Sequence, residues 1–134
     1  MAQKTLFDQT YARGKASFLI NLASSGSETI DVGILANATS GTVARVNIID
    51  VEWSSAAGVT ISWETGETDE VALQLSGNGA WKEIVIPYGT TGTPTGDINV
   101  TANAGVATVI LTVRKVAGFD ARTDYTSVGS ANYS

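Results

Sequence analysis

The side chains that most often carry enzymatic chemistry are scarce in this sequence. Its 134 residues include no histidine and no cysteine. The commonest general base, the commonest zinc ligand and the thiol nucleophile are therefore missing together. Serines are plentiful, but no G-x-S-x-G elbow presents one for attack, and neither G-x-x-x-x-G-K-[ST] nor G-x-G-x-x-G occurs to cradle a phosphate. Carboxylates remain. Asp50 and Glu52 lie two apart, so on a strand they point the same way, and Glu64 on a partner strand could approach them. A glycosidase needs two such groups roughly 5 to 9 Å apart in a cleft, one with a raised pKa. Nothing in the sequence predicts a cleft, so these carboxylates are expected on the polar outer face of a sheet. Glu64, Glu67, Asp69 and Glu70 could offer oxygen ligands to a hard cation. They lack the D-x-[DN]-x-[DN]-G pattern of a calcium loop, and a solvated acidic turn is expected. The sequence thus predicts no catalytic residue, no cofactor and no metal.

Charge and hydropathy narrow the partners. The formal net charge is −5, which repels phosphate backbones, so nucleic acid is not an expected partner. Basic residues come close together only at Arg13/Lys15 and at Arg114/Lys115, each read as a solvated strand end. No apolar run approaches the ~20 residues needed to span a bilayer as a helix, and no secretory signal opens the chain. The expectation is a soluble protein made in a cytoplasm, with no membrane partner. The sequons Asn37-Ala38-Thr39 and Asn99-Val100-Thr101 are read as chance matches. Trp81, Tyr88 and Tyr125 are the aromatic candidates for stacking on a sugar ring.

The elements that must position these residues are strands. Gly, Ser, Thr, Val and Ile dominate, segments of alternating polarity recur at short spacing, and no stretch of ten or more residues keeps a helical period. Strands are expected at Lys4–Tyr11, Ala16–Leu22, Glu28–Leu35, Val43–Ser54, from Val59 to Trp63, Val71–Leu75, Trp81–Ile86, around Ile98 and Val100, and at Val106–Val116. Turns are expected at Ser54–Gly58, at Ser76–Gly79 and from Ala102 to Gly105. In the Val43–Ser54 segment, Ala44, Val46 and Ile48 share one face, while Ile49, Val51 and Trp53 share the other. The apolar face switches at Ile48–Ile49, which calls for a β-bulge or for a strand that passes between two sheets. Val51/Trp53 and Ile61/Trp63 then read as facing residues of one hairpin. With Val109, Leu111 and Val113 they lead the expected core.

The fold expected is all-β: an antiparallel β-sandwich, jelly-roll-like, with extended N- and C-terminal arms. Residues 1–118 form the sandwich domain, and 119–134 form a polar, aperiodic tail to be ordered by a partner. Leu6, Phe7 and Tyr11 in the N-terminal segment, and Phe119, Tyr125 and Tyr133 in the tail, are the expected interface residues, as aromatic or apolar anchors in polar surroundings.

Three stretches carry a resemblance. They are Val51-Glu52-Trp53-Ser54-Ser55 leading to Val59-Thr60-Ile61-Ser62-Trp63-Glu64, then Thr95-Gly96-Asp97-Ile98-Asn99-Val100-Thr101, then Val109-Ile110-Leu111-Thr112-Val113-Arg114-Lys115-Val116-Ala117-Gly118-Phe119. In that order, over roughly residues 43–119, the chain resembles small virion structural proteins of tailed phages, of the marine and cyanobacterial type. The resemblance implies a β-sandwich that decorates or cements a capsid, or sits at the neck or tail, and it brings no catalytic residue. On that reading the partners are the major capsid protein, other virion proteins and further copies of the chain, with a homotrimer natural at threefold points. The location is the virion. A glycan-binding module on a tail, neck or fibre is the alternative.

Overall fold

A computed structural model describes residues 3–39, 42–66, 68–90 and 94–120. Within them seven strands, β1 (Gln3–Asp8), β2 (Lys15–Leu22), β3 (Ser27–Ile30), β4 (Arg45–Thr65), β5 (Glu70–Trp81), β6 (Pro94–Ala102) and β7 (Ala107–Ala117), are joined with one 3₁₀ turn at Val32–Ile34. All their pairings are antiparallel. Strand order is β1-β2-β7-β4-β6-β3, with β5 on the remaining side of β4. The fold is an all-β antiparallel sandwich, a curled, jelly-roll-like sheet.

The long β4–β5 hairpin makes one sheet into two layers. Residues 45–54 of β4 pair with β7, residues 59–65 pair with β6, and β5 follows β4 through both halves. Between them, at Ser55–Gly58, the strand turns the corner from one layer to the other. Gly58 makes the corner with φ of +100°, and a Cβ there would sit 2.8 Å from Asn103 Nδ2. Its N–H donates to Ser55 Oγ at 3.1 Å, and its carbonyl accepts from the Asn103 amide at 3.0 Å. The segment expected as a turn is therefore a bend within one continuous strand. Val51/Trp53 and Ile61/Trp63 consequently do not face each other across a hairpin: Val51 pairs with Trp81 and Leu111, and Ile61 with Leu73 and Val100.

The face switch resolves as a bulge. Ile48 pairs with Val113 and Asp50 with Thr112, which leaves Ile49 as the extra residue. Both candidate solutions are present, the bulge at the switch and the change of layer several residues later. Two other expectations are corrected. Ser76–Gly79 lies inside β5 and is not a turn. Residues 82–90 form no strand, only a bridge from Ile86 to Ile48 that covers the start of β4. The expected Glu28–Leu35 strand ends at Ile30, because Asp31 caps the 3₁₀ turn, its side chain accepting from the Gly33 amide at 3.0 Å.

The core lies between the layers. Phe18 and Ile20, Val46, Ile48 and Val51, Val109, Leu111 and Val113 face Ile30, Val59, Ile61, Trp63, Leu73, Leu75, Ile98 and Val100. Burial of each such side chain contributes roughly 1.5–3 kcal/mol. Of the expected core leaders only Trp53 is less than fully buried.

Candidate functional site

β7 puts an unexpected residue inside. Its inward positions run Ala107, Val109, Leu111, Val113 and then Lys115, whose side chain is fully buried. An ammonium taken out of water needs a counter-charge and acceptors for its three protons. The β1 end and the adjoining loop supply them. Lys115 Nζ donates to Asp8 Oδ1 at 2.6 Å, to the Gln9 carbonyl at 2.6 Å and to the Ala36 carbonyl at 2.8 Å. Phe119 lies with its ring centre 5.2 Å from the same nitrogen. Asp8 Oδ2 accepts from the Ala36 amide at 2.7 Å. Lys115 is thus no solvated strand end. It fastens β1 and the loop after the 3₁₀ turn to the last strand.

That clamp fixes what β1 presents. Among the described residues β1 pairs only with β2, so its other edge is open. The register passes from Thr5↔Phe18 to Phe7↔Ser17, leaving Leu6 as a bulged residue. Leu6 and Phe7 on β1 and Tyr11 in the loop after it are 45%, 45% and 44% exposed, large apolar side chains left facing solvent. The loop carrying Tyr11 is closed by Gln9 N to Lys15 O at 2.9 Å and Gly14 N to Tyr11 O at 3.1 Å. Of the expected interface residues, Leu6 and Phe7 thus lie on the β1 edge and Tyr11 in the adjoining loop. Phe119 is half-buried over Lys115, its backbone bridged to Ala38. Tyr125 and Tyr133 lie outside the described residues, as does Glu67. Between the open edges of β1 and β3 lies a cavity of about 310 Å³, floored by Phe18, Ile30 and Leu35 and rimmed by Gln3, Thr5, Thr29 and Asp31. Gln3 spans it, donating to Glu28 Oε1 at 3.0 Å and to the Thr29 carbonyl at 2.8 Å.

The second aromatic surface is at the β5 edge. Trp81 is 47% exposed and meets Trp53 edge-to-face, ring centres 5.9 Å apart. Trp53 is held by its indole N–H, which donates to the Ser76 carbonyl at 2.9 Å. Its ring passes over Gly79, where a Cβ would come within 2.6 Å of it. Nearby, Glu52, Ser54, Asn78, Thr108 and Ile110 line a shallow groove of about 280 Å³. Tyr88, another stacking candidate, is half-buried under the Arg45 guanidinium at 5.1 Å.

The carboxylates are dispersed. Asp50 accepts from the Glu83 amide at 2.8 Å, and Glu52 pairs with Lys82 at 2.9 Å, both on the outer face of the β7-side layer. Glu64 accepts from Thr95 at 3.2 Å on the other layer, so it does not join Asp50 and Glu52. Among the described residues no group of three His, Cys, Asp or Glu could hold a metal ion. Within them too, no helix is long and apolar enough to cross a membrane. Burial raises the pKa of Asp97 above the ordinary 3.8; the hydrogen bond from the Val32 amide opposes this, and repulsion from Asp31 and Glu64 adds to it.

The class defined is an all-β antiparallel sandwich whose β1 and β5 edges, among the described residues, are open and partly apolar. No protein-family model and no curated protein matches the chain. Solved structures with a similar strand arrangement include the cupin domain of Schizosaccharomyces pombe Cnp3, at 9% identity and a TM-score of 0.43, covering 98% of this chain and 68% of that one. A mutant of the carbohydrate-binding module CBM29-2 aligns at 11% identity and a TM-score of 0.47, covering 96% of this chain and 97% of that one. A cupin domain from Bordetella pertussis aligns at 12% identity and 0.42, covering 86% and 92%.

Proposed function

We propose that this chain is a non-catalytic binding protein of a larger assembly, and specifically a decoration or cement protein on the head of a tailed phage. The observation that carries the reading is the β1 edge: an open strand edge bearing exposed Leu6 and Phe7, with exposed Tyr11 in the adjoining loop, fixed to the domain by the buried Lys115–Asp8 pair. Such an edge suits strand addition by an extended segment of a shell protein, with backbone hydrogen bonds giving affinity and the apolar side chains giving register. Many copies on one shell make weak single contacts sum to strong attachment. The resemblance over residues 43–119 supplies the phage context. The test is co-sedimentation with undecorated phage heads. The double variant L6K/F7K alters only exposed side chains, so its stability should stay within about 0.5 kcal/mol of the parent, while its sedimentation with heads should be lost. Undiminished sedimentation of that folded variant rules out the β1 edge.

Trp81 favours a second reading, a glycan-binding face. A half-exposed indole beside a groove of hydroxyl, amide and carboxylate groups offers a sugar both an apolar platform and hydrogen-bond partners. Tryptophan fluorescence should then respond to added polysaccharide in the parent and not in W81A.

A further inference from the structure

β5 differs from the other open edges. Sheet edges are ordinarily blunted by charge, proline, bulges or short length. β3 has four residues and carries Glu28; β1 has six, with Lys4, Asp8 and a bulge. β5 has twelve, pairs among the described residues only with β4, and is bulged once, at Ala72, near its start; from Leu73 to Trp81 it holds no charge, proline or bulge. Charges lie at its ends, with Asp69 just before it, Glu70 as its first residue and Lys82 after it.

Its sequence is complementary to itself in reverse. Antiparallel pairing of two β5 strands about Ser76 sets Leu75 opposite Gly77 and Leu73 opposite Gly79, on the inner face. Each leucine thus meets a residue with no side chain. On the outer face the same register sets Gln74 opposite Asn78, two amides able to hydrogen-bond across the strands. Beyond the Ala72 bulge, the acidic end of each strand lies toward Lys82 of the other. The exposed Val71 and Trp81, at 51% and 47%, fall within the covered stretch. The bend in β5 is also centred here, since Gly77 has φ of +70°. A twofold axis through Ser76 along the sheet normal carries bend onto bend, so the curvature of one strand follows that of the other. Lys82 already pairs with Glu52, but both side chains are about half exposed, at 55% and 47%. An exposed pair is weak enough to be shared with a second acidic group.

From the nine unbroken, uncharged residues Leu73–Trp81, their complementary register and the end charges, we infer that β5 is the self-association edge of this protein, pairing antiparallel with β5 of a second copy about Ser76 to form a twofold dimer. The interface is isologous, so it closes at two copies. It uses a different edge from the one proposed to meet the shell, and its test is independent of that proposal.

Light scattering across a wide concentration range should show a concentration-dependent dimer. The variant Q74K/N78K places like charges opposite one another and should be monomeric with an unchanged circular dichroism spectrum; Q74K/N78E places opposite charges there and should dimerise. Opposed residues across an antiparallel pair have Cα atoms about 4.5–5.5 Å apart, within disulfide reach, and the sequence has no cysteine of its own. S76C should therefore cross-link to a covalent dimer under mild oxidation, and T42C, on an exposed residue away from β5, should not. A parent monomeric at every concentration, a trimer, a dimer that survives Q74K/N78K, or S76C failing to cross-link above T42C would each overturn the inference.

Discussion

Replacing Lys115 by methionine tests the clamp that positions the β1 edge. The thioether keeps most of the buried stem and deletes only the charged head, so lost packing is a minor part of the effect. Three donated hydrogen bonds disappear, those to Asp8, Gln9 and Ala36. Breaking a buried ion pair from one side costs about 3–5 kcal/mol, because the remaining charge stays desolvated. Here the remaining charge is Asp8, whose side chain is 21% exposed and keeps its bond from the Ala36 amide. Water can therefore compensate part of the loss, which places K115M near the lower end, about 3 kcal/mol. For a domain of this size each kcal/mol moves Tm by about 3–5 °C, so a fall of roughly 10–15 °C is expected in a thermal melt. The loss should also be local. In hydrogen exchange, the amides of β1 should lose protection well before those of β7, since among the described residues β1 pairs with β2 alone and is otherwise held by the clamp and the Gln3 side chain. The double variant D8N/K115M should recover part of the stability, as removing both charges leaves neither unpaired. A Tm change of only a few degrees, or protection falling uniformly across the sheet, would refute this account of Lys115.

Two further outcomes follow from the geometry. G96A should destabilise far more than G77A: both glycines have positive φ, +88° and +70°, but a Cβ at Gly96 would overlap the Ala44 carbonyl oxygen whereas one at Gly77 meets nothing within 4 Å. A cost of about 1 kcal/mol is expected for G77A and several for G96A, read by urea denaturation; equal midpoints would contradict the packing of Gly96 on Ala44. Asp97 should make stability depend on pH in the direction opposite to an ion-paired carboxylate. Its folded pKa lies above the ordinary 3.8, so the folded state holds the proton to higher pH than the unfolded chain does. Stability from this group is then fully present below the unfolded value and is lost as pH rises through the folded one. Asparagine keeps an oxygen for the Val32 amide but cannot ionise, so the advantage of D97N over the parent should grow as pH rises across that window. An advantage that is constant or shrinks with pH would remove Asp97 as the cause.

The strand periods of β2, β6 and β7 were legible because each has one face in the core and alternates accordingly. Lys115 was legible too in principle. The period that places Val109, Leu111 and Val113 inside reaches it at the next step, and only its charge argued for solvent. Its partners were hidden, since Asp8 and Ala36 are more than seventy residues away. The exposed positions of Leu6 and Phe7 fit their polar sequence surroundings.

The chemistry available and the class of fold follow from the amino acids alone. With alternation throughout, the chain had to be a strand protein, and it has neither an imidazole nor a thiol. The break in β4 was marked as well, because an apolar face cannot change sides without an extra residue, and Ile49 is that residue. It took the assembled sheet to make the small residues of Ser55–Gly58 and Ser76–Gly79 bend two strands together instead of ending them. A run of serine, alanine and glycine permits a turn and a sharp bend equally, since neither demands a side chain there. The choice between them came from the neighbouring strands, which offer hydrogen bonds on both sides of the corner and a core on its inner face.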